Sequence, residues 1–491
     1  MDIASAKQQI KNTVQIYLQK DALGRYRLPL VHQRPVFLQG APGLGKTAIM
    51  QQIADEMGLG LVSYSMTHHT RQSAIGLPVI VEKEYGDKTY SVSEYTMSEI
   101  IASVYDCMRT TGRKEGILFL DEINCVSETL SPAMLLFLQY KVFGGHQIPE
   151  GWVVVTAGNP PRFNKSVREF DAATRDRLKI LEIEPNYPAW KAYALEHGVS
   201  RCIISYLDIR QDDFYKVETT VDGLTVVTPR AWEDLSEILQ FHEELGLPVS
   251  EDLTTQYLQN KQVARDFAIY YELYQKYRQV YRVEELLSGV WDDATLEQAR
   301  TAKLDERMSL VSLLLEAIFG GMERCTTRHD ALALAVNSLK AKKEALSAPG
   351  DTATALASLE DAWRAEAKTA PAMKQKAYLD LLAVSDGWHT HLEGSTPFEA
   401  LRSCYKSDVA VLQAEVTKVQ EQIGQMLRFL EAAFGKGTEL SLAVNDLTVT
   451  PAATAFIGQF LSKDYFQASR SLLLHRQEEQ LLKQIDLTGL V

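Results

Sequence analysis

The sequence is short of cysteine, of positive charge and of long apolar runs. Its five cysteines (Cys107, Cys125, Cys202, Cys325, Cys404) lie far apart, with no CxxC pair and no histidine beside them at ligand spacing. That pattern excludes a disulfide scaffold and a zinc knuckle, and reduced thiols in a cytoplasmic protein are the expectation. Lys and Arg number 51 against 64 Asp and Glu, a net charge of −13. A field of that sign repels nucleic acid and anionic membrane, and no Lys/Arg-rich run supplies a local basic groove. No stretch approaches ~18 uninterrupted apolar residues, so no transmembrane helix is expected. The opening MDIASAKQQIKNTVQIYLQKD reads as a mixed polar helix and lacks the apolar centre and cleavage site of a secretory signal.

What is present is ordinary for a globular chain: 46% hydrophobic and 23% charged residues over 491 positions, enough for about three domains. From Arg34 to about Pro185 short β-rich runs (RPVFLQG, GLVSYSM, GILFLDE, GWVVVTAGNP, LKILEIEP) alternate with helical stretches. Runs apolar on both faces predict a doubly wound α/β domain with a parallel sheet. Two hairpin signals interrupt the rhythm, Pro78–Tyr95 around Gly86-Asp87 and Tyr140–Pro149 around Gly144-Gly145. Beyond Asn186 the chain turns helical, with one further turn-centred stretch at YKVETTVDGLTVV. The expected division is 1–185 for the α/β domain, 186–285 for a helical lid and 286–491 for a long all-α region. In that last region Tyr405, Val409, Leu412, Val416, Val419, Ile423, Met426 and Leu430 form a 4-3-4-3 seam, read as an intramolecular helical bundle in preference to an intermolecular coiled coil. The tyrosine-rich Phe267–Leu286 reads as a packed helix with tyrosines at its rim, and the amphipathic stretch Gln459–Ile485 as a cap on the bundle. His68-His69 lack acidic or cysteine neighbours and are not expected to bind metal.

The chemistry concentrates in the α/β part. Gly40-Ala41-Pro42-Gly43-Leu44-Gly45-Lys46-Thr47, followed by Ala48, fits GxxxxGK[ST] between a strand and a helix. Its glycines turn successive N–H groups into one concavity, the helix N-terminus adds favourable potential for phosphate, Lys46 reaches the outer phosphates and Thr47 offers a hydroxyl to Mg²⁺. The buried run Ile117–Asn124, ILFLDEIN, places Asp121 near the metal and leaves Glu122 to polarise a water. Asn159 ends a third strand; it is a simple turn residue before Pro160-Pro161, or it holds the attacking water. Arg175 and Arg177 precede the next strand, where an arginine is either solvated surface or a finger for a phosphate site. Thr228, Pro229 and Arg230 open a helix, and Arg230 is either exposed or a lid arginine on the phosphates.

With GAPGLGKT, LFLDEIN, IPEGWVVVTAGNP, FDAATRDRL and TPRAWEDL in this order, the chain resembles an AAA+ ATPase of the MoxR type, in the helix-2-insert clade. The resemblance covers roughly residues 30–245. It implies an AAA+ P-loop core with a parallel sheet, a helical lid, Mg²⁺-dependent ATP hydrolysis, Asn159 at the sensor-1 position, Arg177 as arginine finger and Arg230 as sensor-2 arginine. The two hairpins fall where that clade carries its helix-2 insert and pre-sensor-1 hairpin. The family assembles rings, usually hexamers, with ATP between subunits, and remodels partner proteins, often with a von Willebrand A-domain protein. Cys125 departs from the arginine that many relatives carry after DEIN. Other readings are a GTPase or a DNA-translocating restriction-type subunit, against which stand the missing NKxD-like segment and the acidic charge, and a nucleotide-gated scaffold.

Overall fold

Five β-rich runs of the first 185 residues become one sheet in the computed structural model, which describes residues 1–68, 71–163, 167, 169–220, 223–348, 350–392, 394 and 396–460. In chain order the strands are β1 (Val36–Gly40), β2 (Gly60–Ser65), the pair β3 (Pro78–Tyr85) and β4 (Lys88–Tyr95), β5 (Gly116–Asp121), the pair β6 (Val142–Phe143) and β7 (His146–Gln147), β8 (Trp152–Gly158), β9 (Lys179–Ile183), and the pair β10 (Lys216–Thr220) and β11 (Gly223–Val227). The main sheet has the order β2-β5-β8-β1-β9, and each neighbouring pair is parallel. Parallel pairing needs a crossover between strands, and the helices that make the crossovers cover both faces. On one face Phe37, Leu118, Leu120 and Val154 pack with Ile100, Val104 and Phe137. On the other, Val36, Leu38, Phe119 and Val155 pack with Ile49, Met50 and Ile53 of the helix Ala48–Met57, and with Ala6, Ile10 and Val14 of the helix Ile3–Tyr17. The continuous apolar character of the runs is thus explained by burial on two sides.

The hairpin signals are borne out. β3 and β4 pair antiparallel with Tyr85 opposite Lys88, leaving Gly86-Asp87 as a two-residue turn in which Gly86 takes φ 66°. A glycine at the first central position is what a turn matched to the twist of a hairpin requires. This ribbon is a two-stranded sheet of its own, and Ile80, Tyr85 and Tyr90 on it are exposed. The shorter pair β6–β7 closes on Gly144-Gly145. The stretch YKVETTVDGLTVV forms β10 and β11, and its turn residues Val221 and Asp222 lie outside the described residues.

Contacts divide the chain into two compact units. The first, Met1–Lys191 with Asp212–Leu235 and Gln256–Asn260, holds every strand among the described residues; the second comprises Ala192–Gln211, Ser236–Thr255 and Lys261–Val491, and its elements among the described residues are helices. In the second unit the 38-residue helix Leu304–Ala341 is the spine, and the equally long Pro397–Phe434 packs on it through Leu412, Val419, Ile423, Met426 and Leu430, all buried. Tyr405, Val409 and Val416 of the expected seam are half-buried, so the seam is covered within the chain most fully along its second half. A satellite core of Leu356, Leu359, Trp363, Leu381, Trp388 and Leu401 joins the helices Thr352–Thr369 and Ala372–Trp388 to the same two long ones. The tyrosine-rich segment is a packed helix, Lys261–Val280, but the rim placement is corrected. Tyr270, Tyr271 and Tyr274 are buried, and the hydroxyls of Tyr271 and Tyr274 donate to Glu243 and Glu316. A matched acceptor removes the cost of burying a phenol, so amphipathic spacing alone misplaces them. The stretch from Leu461 onward lies outside the described residues, as do His69 and the side chain of His68. No single helix among the described residues is long and apolar enough to cross a membrane.

Candidate functional site

The loop after β1 folds as a phosphate cradle because two of its residues adopt a backbone that side chains resist. Gly43 (φ 75°) and Gly45 (φ 81°) lie in the left-handed region. At Gly43 there is also no room, since a β-carbon would come within 2.6 Å of the Thr228 side chain. The helix Ala48–Met57 starts directly from this loop, and the N–H groups of Ile49 and Met50 in its first turn donate back to Gly45 O and Thr47 O, both at 3.1 Å. Lys46 lies folded into the loop, 7% exposed. Its Nζ donates to the carbonyls of Gly40 (2.9 Å) and Ala41 (2.7 Å) and to Oδ1 of Asn159 (3.0 Å). Burial pushes its pKa from 10.5 down to about 8, opposed by Asp121 and assisted by the charge of Arg230.

At the end of β5 the acidic pair divides its labour. Asp121 Oδ2 accepts from the Thr47 hydroxyl at 2.9 Å, while Oδ1 accepts from the Glu122 N–H at 2.8 Å. Two hard oxygens side by side, on a loop built for phosphates, fit Mg²⁺, which takes one or two protein oxygens and fills its remaining positions with phosphate and water. No group of three or more His, Cys, Asp or Glu among the described residues forms a metal cage of its own. Thr47 and Asp121 would hold the ion, and the nucleotide would complete its shell.

Glu122 stands in the left-handed region at φ 54°, ψ 36°, a strained backbone for a residue with a side chain. The turn is fixed on both sides, by the Asp121 bond and by Cys125 N–H donating to Glu122 O at 2.9 Å. The bend turns the side chain back toward β2, where Glu122 Oε2 accepts from the Ser65 hydroxyl at 3.1 Å; that hydroxyl also meets Thr67 Oγ1 at 2.8 Å. Neither Ser65 nor Thr67 is marked by any sequence motif. Pairing of β2 with β5 puts Ser65 opposite Asp121 and so brings them to the site.

Asn159 follows β8, directly beside the loop, as its contact with Lys46 shows. Its carbonyl accepts from Nδ2 of Asn124 at 2.8 Å. Arg230 is exposed; its N–H donates to Gly43 O at 3.3 Å, and Thr228 Oγ1 accepts from Ala231 N–H at 3.2 Å as the N-cap of the helix Pro229–Leu245. Arg177 is different. Two residues later Lys179 pairs with Val36 at the start of β1, whereas the phosphate loop leaves from Gly40, opposite Ile183. Four residues of strand, roughly 13 Å, therefore separate the two ends. Arg177 Nε donates to Gln139 Oε1 (3.1 Å) and a terminal nitrogen donates to Ala173 O (2.7 Å). Lys46, Thr47, Asp121, Glu122, Asn159 and Arg230 thus converge at the end of the strands where β1 finishes, and Arg177 sits at the other end of them, just before β9 begins.

What converges is a glycine-rich loop with a buried lysine, a hydroxyl and a carboxylate in contact, a second carboxylate and an amide beside them. A family model described as AAA domain (dynein-related subfamily) matches residues 35–178, an interval that runs from β1 through the acidic pair and Asn159 to Arg177. No curated protein matches the chain. Geometry and family match agree on a nucleotide-binding domain, and the match supports an AAA+ ATPase built on residues 35–178.

Proposed function

We propose that the chain is an ATP-hydrolysing remodelling chaperone of the MoxR type that works as a ring, hexameric by resemblance, with ATP held between subunits. The observation that supports this reading is the position of Arg177 at one end of the parallel strands while Lys46, Thr47, Asp121 and Glu122 gather at the other. Lys46 and Arg230 neutralise the outer phosphates, Thr47 and Asp121 hold Mg²⁺, and Glu122, aided by Asn159, takes the proton of the attacking water. The transition state still needs a cation at the transferred phosphoryl group, and Arg177 of a neighbouring copy would supply it, an effect of ~10³–10⁵ in rate. The reading places the protein in the cytoplasm, with a von Willebrand A-domain protein as partner and no role for nucleic acid or membrane. The exposed ribbon β3–β4 and the helical second unit are the surfaces left for client and partner.

The test is turnover per protomer as the protein is diluted. A fall on dilution, with Glu122→Gln binding ATP but hardly turning over and Lys46→Ala losing binding, is the expected result. Constant turnover down to monomers sinks the shared site.

A further inference from the structure

We propose that Asn124 is a positioning residue for Asn159, so that one turn fixes both the carboxylate that polarises water and the amide beside it. The inference rests on the hydrolytic reading of the site and adds a residue to it. Asn124 lies two residues after Glu122, in the tight turn Ile123–Cys125, and is 5% exposed. Only half of its side chain is used. Nδ2 donates to the Asn159 carbonyl at 2.8 Å, while Oδ1 is buried without a hydrogen-bond partner.

A buried, unpartnered carbonyl oxygen carries a cost that a smaller or apolar side chain would avoid. What this amide alone brings is the single donor to Asn159. That donor matters because β8 ends at Gly158 and Pro160 follows, so Asn159 lies beyond the sheet and next to a residue with no N–H. Gly158 is fitted to the same purpose. A β-carbon there would lie 2.3 Å from Asn124 Oδ1, so the amide lies against the main chain of the strand end. From Asn159 the chain of contacts continues through Oδ1 to Lys46 Nζ at 3.0 Å. Glu122 and Asn124 share one turn, so the base and the phosphate-side amide are set together.

The Asn124→Asp variant removes the donor and keeps the shape. A polar cavity of about 100 Å³ beside it, lined by Gln39, Asn124, Glu169 and Arg175 among others, lets the new carboxylate be tolerated. Near pH 8 the expected result is kcat for ATP lowered about three- to tenfold with KM within about twofold. Because a protonated carboxyl regains a donor, and burial raises its pKa, the ratio of variant to wild-type kcat should climb as pH falls toward about 5.5. Asn124→Ala should show the same loss with a flat ratio. Both variants should lose preference for a non-hydrolysable ATP analogue over ADP in direct binding. Wild-type kcat in Asn124→Asp, or a ratio equally flat in both variants, overturns the proposal, as does equal loss of ATP-analogue and ADP binding together with a lowered Tm. If the wild type binds nucleotide and does not hydrolyse it, the hydrolytic reading fails, and the analogue-to-ADP preference alone decides for or against the clamp.

Discussion

Lys46 carries a charge into a buried loop with no anion in hydrogen-bond contact, and that sets a measurable proton linkage. Its pKa is about 8 in the ligand-free fold against 10.5 for an ordinary lysine, a difference of ~3 kcal/mol in the balance of its two forms. The unfolded chain binds this proton more tightly than the folded one. Stability of the ligand-free protein therefore rises as pH goes from about 8 to 10.5, and below about 8 the burial penalty is fully felt. Phosphates beside Lys46 favour its charged form, so ATP binding should take up about half a proton near pH 8 and almost none near pH 6.5. Calorimetry in two buffers of different ionisation enthalpy reads this directly; a heat of binding independent of buffer at pH 8 would contradict it. The Ser65 hydroxyl bonded to Glu122 makes a second prediction at this scale. A carboxylate held by a neighbour is a weaker base for water, and the bond is worth about 1 kcal/mol. Ser65→Ala should raise basal turnover up to about fivefold, read in a steady-state phosphate-release assay with ATP affinity unchanged. The phosphate loop and the acidic pair were legible in the sequence because glycines, lysine and carboxylates at fixed spacing do one kind of chemistry. Ser65 and Asn124 were not, since a serine at the end of a strand or an asparagine in a turn takes its meaning from what another segment places beside it.

Elements differ in how much of their stability comes from outside themselves, and the two hairpins illustrate both cases. Ribbon β3–β4 has mostly exposed residues along both strands, and Thr96 N–H donates to Leu77 O at 2.9 Å, so the chain ends that enter and leave it are already adjacent. Replacing Pro78–Tyr95 by a short Gly-Ser turn should leave the first unit folded, with Tm within a few degrees and ATP binding intact, as the ribbon adds little buried area. The small pair β6–β7 is packed at its tip. A β-carbon on Gly144 would meet the Ile75 carbonyl at 2.2 Å, whereas one on Gly145 meets nothing within 4 Å. Both residues have positive φ, so Gly145→Ala should cost only the backbone term of ~1 kcal/mol and Gly144→Ala at least twice that, measured by denaturant unfolding. Alternation of β-rich runs with helices made the parallel sheet legible, and Gly-Asp and Gly-Gly between β-prone stretches made the ribbons legible. The buried tyrosines of Lys261–Val280 were not, because Glu243 and Glu316, which accept from two of them, come from other helices.

For the whole molecule, Arg177 and the phosphate loop lie at opposite ends of the strands β1 and β9 of one unit. On the proposed reading the catalytic parts of each chain are therefore divided between two ends of that unit. In the proposed ring each end belongs to a different shared site. Arg177→Ala should then keep ATP binding, since that side chain is hydrogen-bonded to Gln139 and Ala173, and lose turnover by ~10³-fold or more. Glu122→Gln leaves the finger intact and disables the water-activating step of its own loop. Neither variant alone turns over, for opposite reasons. Mixed, they should recover part of the wild-type rate, because the complete loop of the Arg177→Ala subunit can receive Arg177 from a Glu122→Gln neighbour. With random assembly of equal amounts, a quarter of the adjacent pairs have that order, so roughly one quarter of wild-type turnover is the ceiling. The recovery should grow with total protein concentration and disappear when Glu122→Gln also carries Arg177→Ala. Phosphate release from mixtures across a range of ratios measures it. A mixture no faster than the sum of its two components would place the whole reaction within one chain and leave Arg177 as a structural link to Gln139.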